Sequence, residues 1–214
     1  MKRLDFWFDV ISPYACLAFE HLPQALEGLS VEVRYRPVLF AGLLKHWGQK
    51  GPAEIAPKRD WTFREVAWSA RQLGVPLQVP AQHPFNPLPL LRLALACAHW
   101  GGTPNRRVVE ALMRHVWRSG ADPLDAQRLQ ALREELAPRL DPDGDPVKQA
   151  LRRAGEQAIA AGVFGVPTVA VDGHLFWGLD GLPLLAAYLR GDDFFAPGGP
   201  WEQAGIAPPG VVRK

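Results

Sequence analysis

Polar and apolar residues alternate over residues 4–10, in a stretch rich in aromatic side chains, and a period of two is the mark of a β-strand. At Ser12-Pro13 the period changes. Leu17, Ala18, Leu22 and Leu26 follow helical spacing as far as Gly28, with Ser12 placed as N-cap and Pro13 at the first helical position, where its missing N–H costs nothing. Alternation returns over residues 31–38, after a helix long enough for a parallel crossover, so the chain opens β-α-β. Residues 39–56 read as irregular, with Gly42, Gly48, Gly51 and Pro52 around a short apolar segment that holds Leu43, Leu44 and Trp47.

Helical period then dominates for about a hundred residues, predicting helices over 61–73, 88–100, 105–118, 123–136 and 145–161 with no strand between them. Thr103-Pro104, Asp122-Pro123 and Asp145-Pro146 each set a short oxygen-bearing side chain before a helix-starting proline. Residues 167–171 and 174–177 flank Asp172-Gly173 and predict a hairpin with a type I′ turn. A last helix over 182–189 stops at Gly191, and the prolines and glycines beyond it predict an irregular tail.

This order is that of an α/β, thioredoxin-like fold with an inserted all-helical domain. The division expected is 1–55 and 150–191 for the discontinuous thioredoxin-like domain, 56–149 for the helical insertion and 192–214 for the tail. A length of 214 residues suits one domain with an insertion, and 48% apolar with 21% charged residues is the balance of a soluble globular protein. Basic and acidic residues, 24 against 22, are scattered, so nothing resembles a nucleic-acid footprint. Asp5 and Asp9 interrupt any leader-like stretch, and Arg92 interrupts the most apolar helix, which is too short to span a bilayer. A cytoplasmic protein without membrane partners is the expectation. Cys16 and Cys97 form no closely spaced pair, the six histidines show no ligand spacing, and no metal or Gly-rich phosphate loop is implied.

Thioredoxin-like folds carry their reactive group at the start of the first helix, where free N–H groups and the helix dipole favour a negative charge. That place holds Ser12-Pro13-Tyr14-Ala15, which offers no thiol, so a thiol–disulfide oxidoreductase is disfavoured. Ser12 has two roles open to it: a plain N-cap, or a donor to a sulfur anion brought by a ligand. Val166-Pro167 stands where such folds keep a cis-proline facing that helix, and the residue before it can pair its backbone with an extended peptide. A trans proline opening an edge strand is the alternative.

The segments Phe8-Asp9-Val10-Ile11-Ser12-Pro13-Tyr14, Gly48-Gln49-Lys50-Gly51-Pro52-Ala53-Glu54, Pro84-Phe85-Asn86, Gly165-Val166-Pro167-Thr168 and Phe176-Trp177-Gly178-Leu179-Asp180 resemble the 2-hydroxychromene-2-carboxylate isomerase family and the kappa-class glutathione transferases, both of the DsbA-like branch. The resemblance implies Ser12 as the catalytic contact of the glutathione sulfur. It implies Val166, Trp177, Gly178, Leu179 and Asp180 as the cofactor-binding set, with Val166 pairing to the cysteinyl unit and Asp180 taking the γ-glutamyl ammonium. It also places Lys45, Gly51, Pro52 and Asn86 around an aromatic carboxylate substrate. Position 179 is usually small and polar in the family and position 181 arginine, whereas this chain has Leu179 and Gly181, so another low-molecular-weight thiol is an alternative to glutathione. The activity implied is a glutathione-dependent cis-trans isomerisation through a reversible thiol adduct. Kappa-like conjugation is the alternative, a non-catalytic thioredoxin-like module a further one, and a homodimer the assembly such a family suggests.

Overall fold

The computed structural model describes residues 1–99 and 101–204. Strand β1 (Lys2–Phe8) pairs in parallel with β2 (Val31–Pro37) and antiparallel with β3 (Thr168–Val171), which pairs antiparallel with β4 (His174–Trp177), giving the order β2-β1-β3-β4. The crossover between β1 and β2 is α1 (Pro13–Ala25). Asp172 and Gly173 both take positive φ, 50° and 82°, as a type I′ turn between β3 and β4 requires.

Alternation in β1 sends Leu4, Phe6 and Phe8, and Val10 just beyond, into the main core, all with no exposed surface. The opposite face is covered as well: Trp7 packs with Val38, Leu43, Ala158, Val163 and Val166 in a second cluster. The period of two therefore identified the strand but not the burial of its other face, and it is on that other face that Asp9 is buried.

The segment expected to be irregular contains α2 (Phe40–His46) and a 3₁₀ turn, Pro52–Glu54. Residue-by-residue pattern misses α2 because Leu39, at its N-cap position, makes no side-chain cap; the cap comes from Asp9, 31 residues earlier. The inserted helices are α3 (Ala56–Gln72), α4 (Leu88–Ala96), α5 (Arg106–Trp117) and α6 (Ala126–Leu136). Helix α7 (Asp145–Ala160) then returns the chain to the sheet, and α8 (Gly181–Arg190) follows β4.

Several helix boundaries differ from the sequence pattern. Helix α3 starts five residues early, with a proline in its first turn. Helix α5 is capped by Asn105 and α6 by Asp125, whose side chains accept from Val108 N at 3.0 Å and Arg128 N at 3.0 Å, while Asp122 caps only a turn at Leu124. Helix α4 stops at Ala96; residue 100, where the apolar period suggested an end, lies outside the described residues, as do residues 205–214 of the tail.

The described part of the tail is not irregular throughout. It forms a 3₁₀ turn, Asp193–Phe195, and a short helix, α9 (Pro200–Ala204). Phe195 and Trp201 come to 6.2 Å from the ring of Phe176 in β4, so aromatic burial overrides the local breakers. Sheet and inserted helices share one core, in which Leu90, Leu91, Val109, Leu112, Met113 and Trp117 meet Phe8 and Phe19. Trp117 also donates its indole N–H to Val10 O at 2.9 Å, tying α5 to the end of β1. Among the described residues no helix is long and apolar enough to cross a membrane.

Candidate active site

Helix α1 begins where β1 ends, and Ser12 is its N-cap, with extended backbone (φ −87°, ψ 118°) and a side chain that accepts from Ala15 N at 3.2 Å. The plain structural role is therefore real. The same hydroxyl also donates, at 3.4 Å, to Val166 O in the loop before β3, and the side chain is almost fully buried. Ser12 and Val166, 154 residues apart, thus face each other, and the Val166-Pro167 bond is cis. Among the described residues the Val166 N–H makes no backbone hydrogen bond within the protein, which leaves it for an extended ligand.

Around this pair the loop is held by short contacts. Thr168 Oγ1 donates to Gly165 O at 2.7 Å, and Gly178 N donates to Pro167 O at 2.9 Å. Trp177, half of it exposed, lies over Gly165 with its ring 5.1 Å from Phe164; a Cβ at position 165 would come within 2.6 Å of the indole nitrogen, so only glycine permits this approach. Gly178 has φ +87°, a conformation glycine adopts freely, and a Cβ there would collide with the Asp180 carboxylate folded against it.

Asp180 sits at the N-cap position of α8, yet its side chain makes no capping bond and is exposed. It lies near the Tyr14 hydroxyl: burial, then the adjoining Glu65, and more weakly Asp180, hold that phenol well above its usual range. Leu179 is half-buried and packs with Leu17, Val66 and Ala70 between α1 and α3, which accounts for an apolar residue where a polar one was expected. At Gly181 a Cβ would meet the backbone of Phe176 at 3.1 Å, so α8 starts too close to β4 for a larger residue without a shift.

The expected substrate residues connect less directly. Lys45 is exposed in the last turn of α2. Gly51 is buried, its N–H donating to Glu54 Oε1 at 2.5 Å, and Pro52 opens the 3₁₀ turn. Both have structural work in closing that loop. Asn86 is exposed, and its Oδ1 accepts from Leu88 N at 3.1 Å as a turn residue, leaving its amide N–H groups outward. No described hydrogen bond joins these four to Ser12.

Cys16 is buried one turn into α1, with burial pushing its thiol up to about 12, so it is a packing residue and not a hidden nucleophile. The pattern also missed His83, whose Nε2–H donates to Ile11 O at 2.9 Å and whose ring lies between Phe63 and Trp117; burial lowers its basicity. It missed Asp9 too. That carboxyl group has no exposed surface, accepts from Ile11 N at 3.1 Å and Phe40 N at 2.9 Å, and has its pKa pushed up to about 7 by burial against the pull of those bonds. The signal available in sequence was a charged residue enclosed by Phe8, Val10 and Ile11 just ahead of a helix start.

The strand order, with a helical block between β2 and β3 and a serine heading α1 opposite a cis-proline loop, defines a thioredoxin-type protein without the cysteine of its redox relatives. The model of the DSBA-like thioredoxin domain matches residues 3–190. A 2-hydroxychromene-2-carboxylate isomerase of Sphingobium xenophagum is 31% identical over 205 residues, covering 88% of this chain and 98% of the relative. Glutathione S-transferase kappa 1 of Rattus norvegicus is 27% identical over 213 residues, covering 92% and 94%. A solved 2-hydroxychromene-2-carboxylate isomerase has the same fold with a TM-score of 0.77 at 20% identity, covering 96% of this chain and 100% of its own. The chain belongs to the DSBA-like thioredoxin domain family and, within it, to the family of 2-hydroxychromene-2-carboxylate isomerases.

Proposed function

We propose that this protein is a glutathione-dependent isomerase of 2-hydroxychromene-2-carboxylate or a similar aromatic catabolite. The observation that carries the reading is the Ser12 hydroxyl at the head of α1, buried and directed at the backbone of Val166. The full-length likeness to an isomerase and to a kappa transferase supports it.

The residues present fit a small thiol. When bound, it supplies a nucleophile that can add to and leave a conjugated substrate, so that a former double bond turns while single. The protein's part is to bind and to orient. In the free protein the Ser12 hydroxyl, besides accepting from Ala15 N, donates only a long, 3.4 Å bond to Val166 O among the described residues, and little is lost by breaking it. Turning that hydroxyl toward a thiolate gives it a charge-assisted bond and at the same time frees Val166 O to accept from a ligand amide, while the Val166 N–H donates. The α1 N–H groups and dipole favour the anion. Asp180, not occupied in capping, takes the ligand ammonium. The γ-glutamyl carboxylate finds no side chain at 179 or 181, where packing against α3 and β4 imposes Leu179 and Gly181, and it is left with the N–H groups at the start of α8.

Lys45, exposed in the last turn of α2, supplies a point charge suited to an aromatic carboxylate. A cytoplasmic setting, where such thiols are kept reduced, goes with the reading, as does a homodimer. The test is to follow the fate of glutathione during turnover of 2-hydroxychromene-2-carboxylate. Isomerisation sustained by a sub-stoichiometric amount is the expected result; loss of one glutathione per product formed would assign the same site to kappa-like conjugation instead.

A further inference from the structure

We infer that Asp9 is a positioning residue that holds the turn aiming Ser12 and the start of the Lys45-bearing helix α2 in one fixed arrangement; the inference rests on the proposed role of Ser12. Three bonds converge on this residue. Its Oδ1 accepts from Ile11 N at 3.1 Å, its Oδ2 from Phe40 N at 2.9 Å, and its main-chain carbonyl from Ser12 N at 3.1 Å. The first and third shape the tight turn between β1 and α1. The second is the only side-chain cap at the start of α2 among the described residues, because Leu39 offers none.

The far end of α2 is fastened too. Trp47 donates its indole N–H to Val163 O at 3.0 Å, two residues before the Gly165-Val166 loop. Helix α2 is therefore strapped at its start to the Ser12 turn and at its end to the chain leading into the Val166 loop, which are the two walls of the thiol site. Burying a carboxylate costs far more than capping a helix with a local serine or asparagine at position 39 would. What Asp9 achieves, and a local cap would not, is to set the two helix starts in register with each other.

Asp9→Asn tests this, since asparagine keeps the shape and one acceptor but turns an amide toward one of the two N–H donors. In the free variant, hydrogen exchange at the Ile11 or Phe40 amide is expected to accelerate about tenfold or more while the circular dichroism of the folded protein is kept. With glutathione bound, the pKa of its thiol, read from the ultraviolet absorbance of the thiolate, is expected to rise. Above about pH 7, where Asp9 is ionised, removing its charge without moving Ser12 would lower that pKa, so a fall, or no change, overturns the inference, as does unchanged exchange at both amides. Failure of wild-type protein to bind glutathione would sink the proposed function instead, and the exchange arm would still judge Asp9.

Should Asp9→Asn not fold, Phe40→Pro compared with Phe40→Ala deletes the single N–H at a helix-start position that tolerates proline. A turnover about tenfold below that of Phe40→Ala is expected, and equal turnover would overturn the coupling.

Discussion

Replacing Ser12 with alanine is expected to lower kcat/KM by about 10- to 100-fold, the range that corresponds to losing one hydrogen bond to a charged group. The loss should fall chiefly on kcat, because the bond is strongest to the anion that reacts and weak to the neutral thiol that first binds. Ser12 also caps α1 through Ala15 N, so the variant should unfold about 1 kcal/mol more easily. The two effects separate experimentally: kinetics on the folded fraction report the first, denaturant titration the second. A variant destabilised by the cap loss but undiminished in kcat/KM would reduce Ser12 to its structural role.

The largest stability effect is expected at Trp117. It is among the largest fully buried side chains, it lies in the core shared by sheet and inserted helices, and its indole N–H satisfies Val10 O at 2.9 Å. Trp117→Ala leaves a cavity and an unpaired carbonyl, and a cost of about 3–5 kcal/mol follows, a large share of the roughly 5–15 kcal/mol that holds an ordinary domain together. Because Val10 leads directly into the Ile11-Ser12 turn, activity should fall before unfolding is complete as denaturant is raised. Trp117→Phe, which restores most of the volume but not the donor, should recover more than half of the loss. Equal midpoints for wild type and Trp117→Ala in urea would show that the helical insertion does not share its core with the sheet.

The elements that repeat a pattern were legible from sequence: the four strands, the Asp172-Gly173 turn, and the helices whose apolar stripes face the common core. What stayed hidden depends on partners distant in the chain. Helix α2 takes its cap from Asp9 and its anchor from Val163, so residues 39–47 alone look like loop. The C-terminal turn and α9 form because Phe195 and Trp201 reach Phe176, which outweighs the glycines and prolines around them. Asp9 itself looked like the polar half of an exposed strand face until α7 and its neighbours covered that face.

The site divides in the same way. Ser12 and Val166 were identifiable because both occupy positions fixed by the fold, and the structure brings them into contact. Lys45, Gly51, Pro52 and Asn86 came from resemblance alone, and three of them prove to have local structural duties, Gly51 in its bond to Glu54, Pro52 in opening the 3₁₀ turn and Asn86 in its bond to Leu88. Leu179 and Gly181 depart from the family pattern for packing reasons that no single position reveals.

The proposed activity requires that a bound thiol be ionised beside Ser12. Titrating the thiolate absorbance of glutathione bound to wild-type protein and to Ser12→Ala measures this without a substrate. A bound thiol more acidic than free glutathione is expected in the wild type, with a shift back by about 1–2 pH units in the variant, equivalent to the hydrogen bond removed. A bound thiol with the same pKa in both proteins would contradict that requirement.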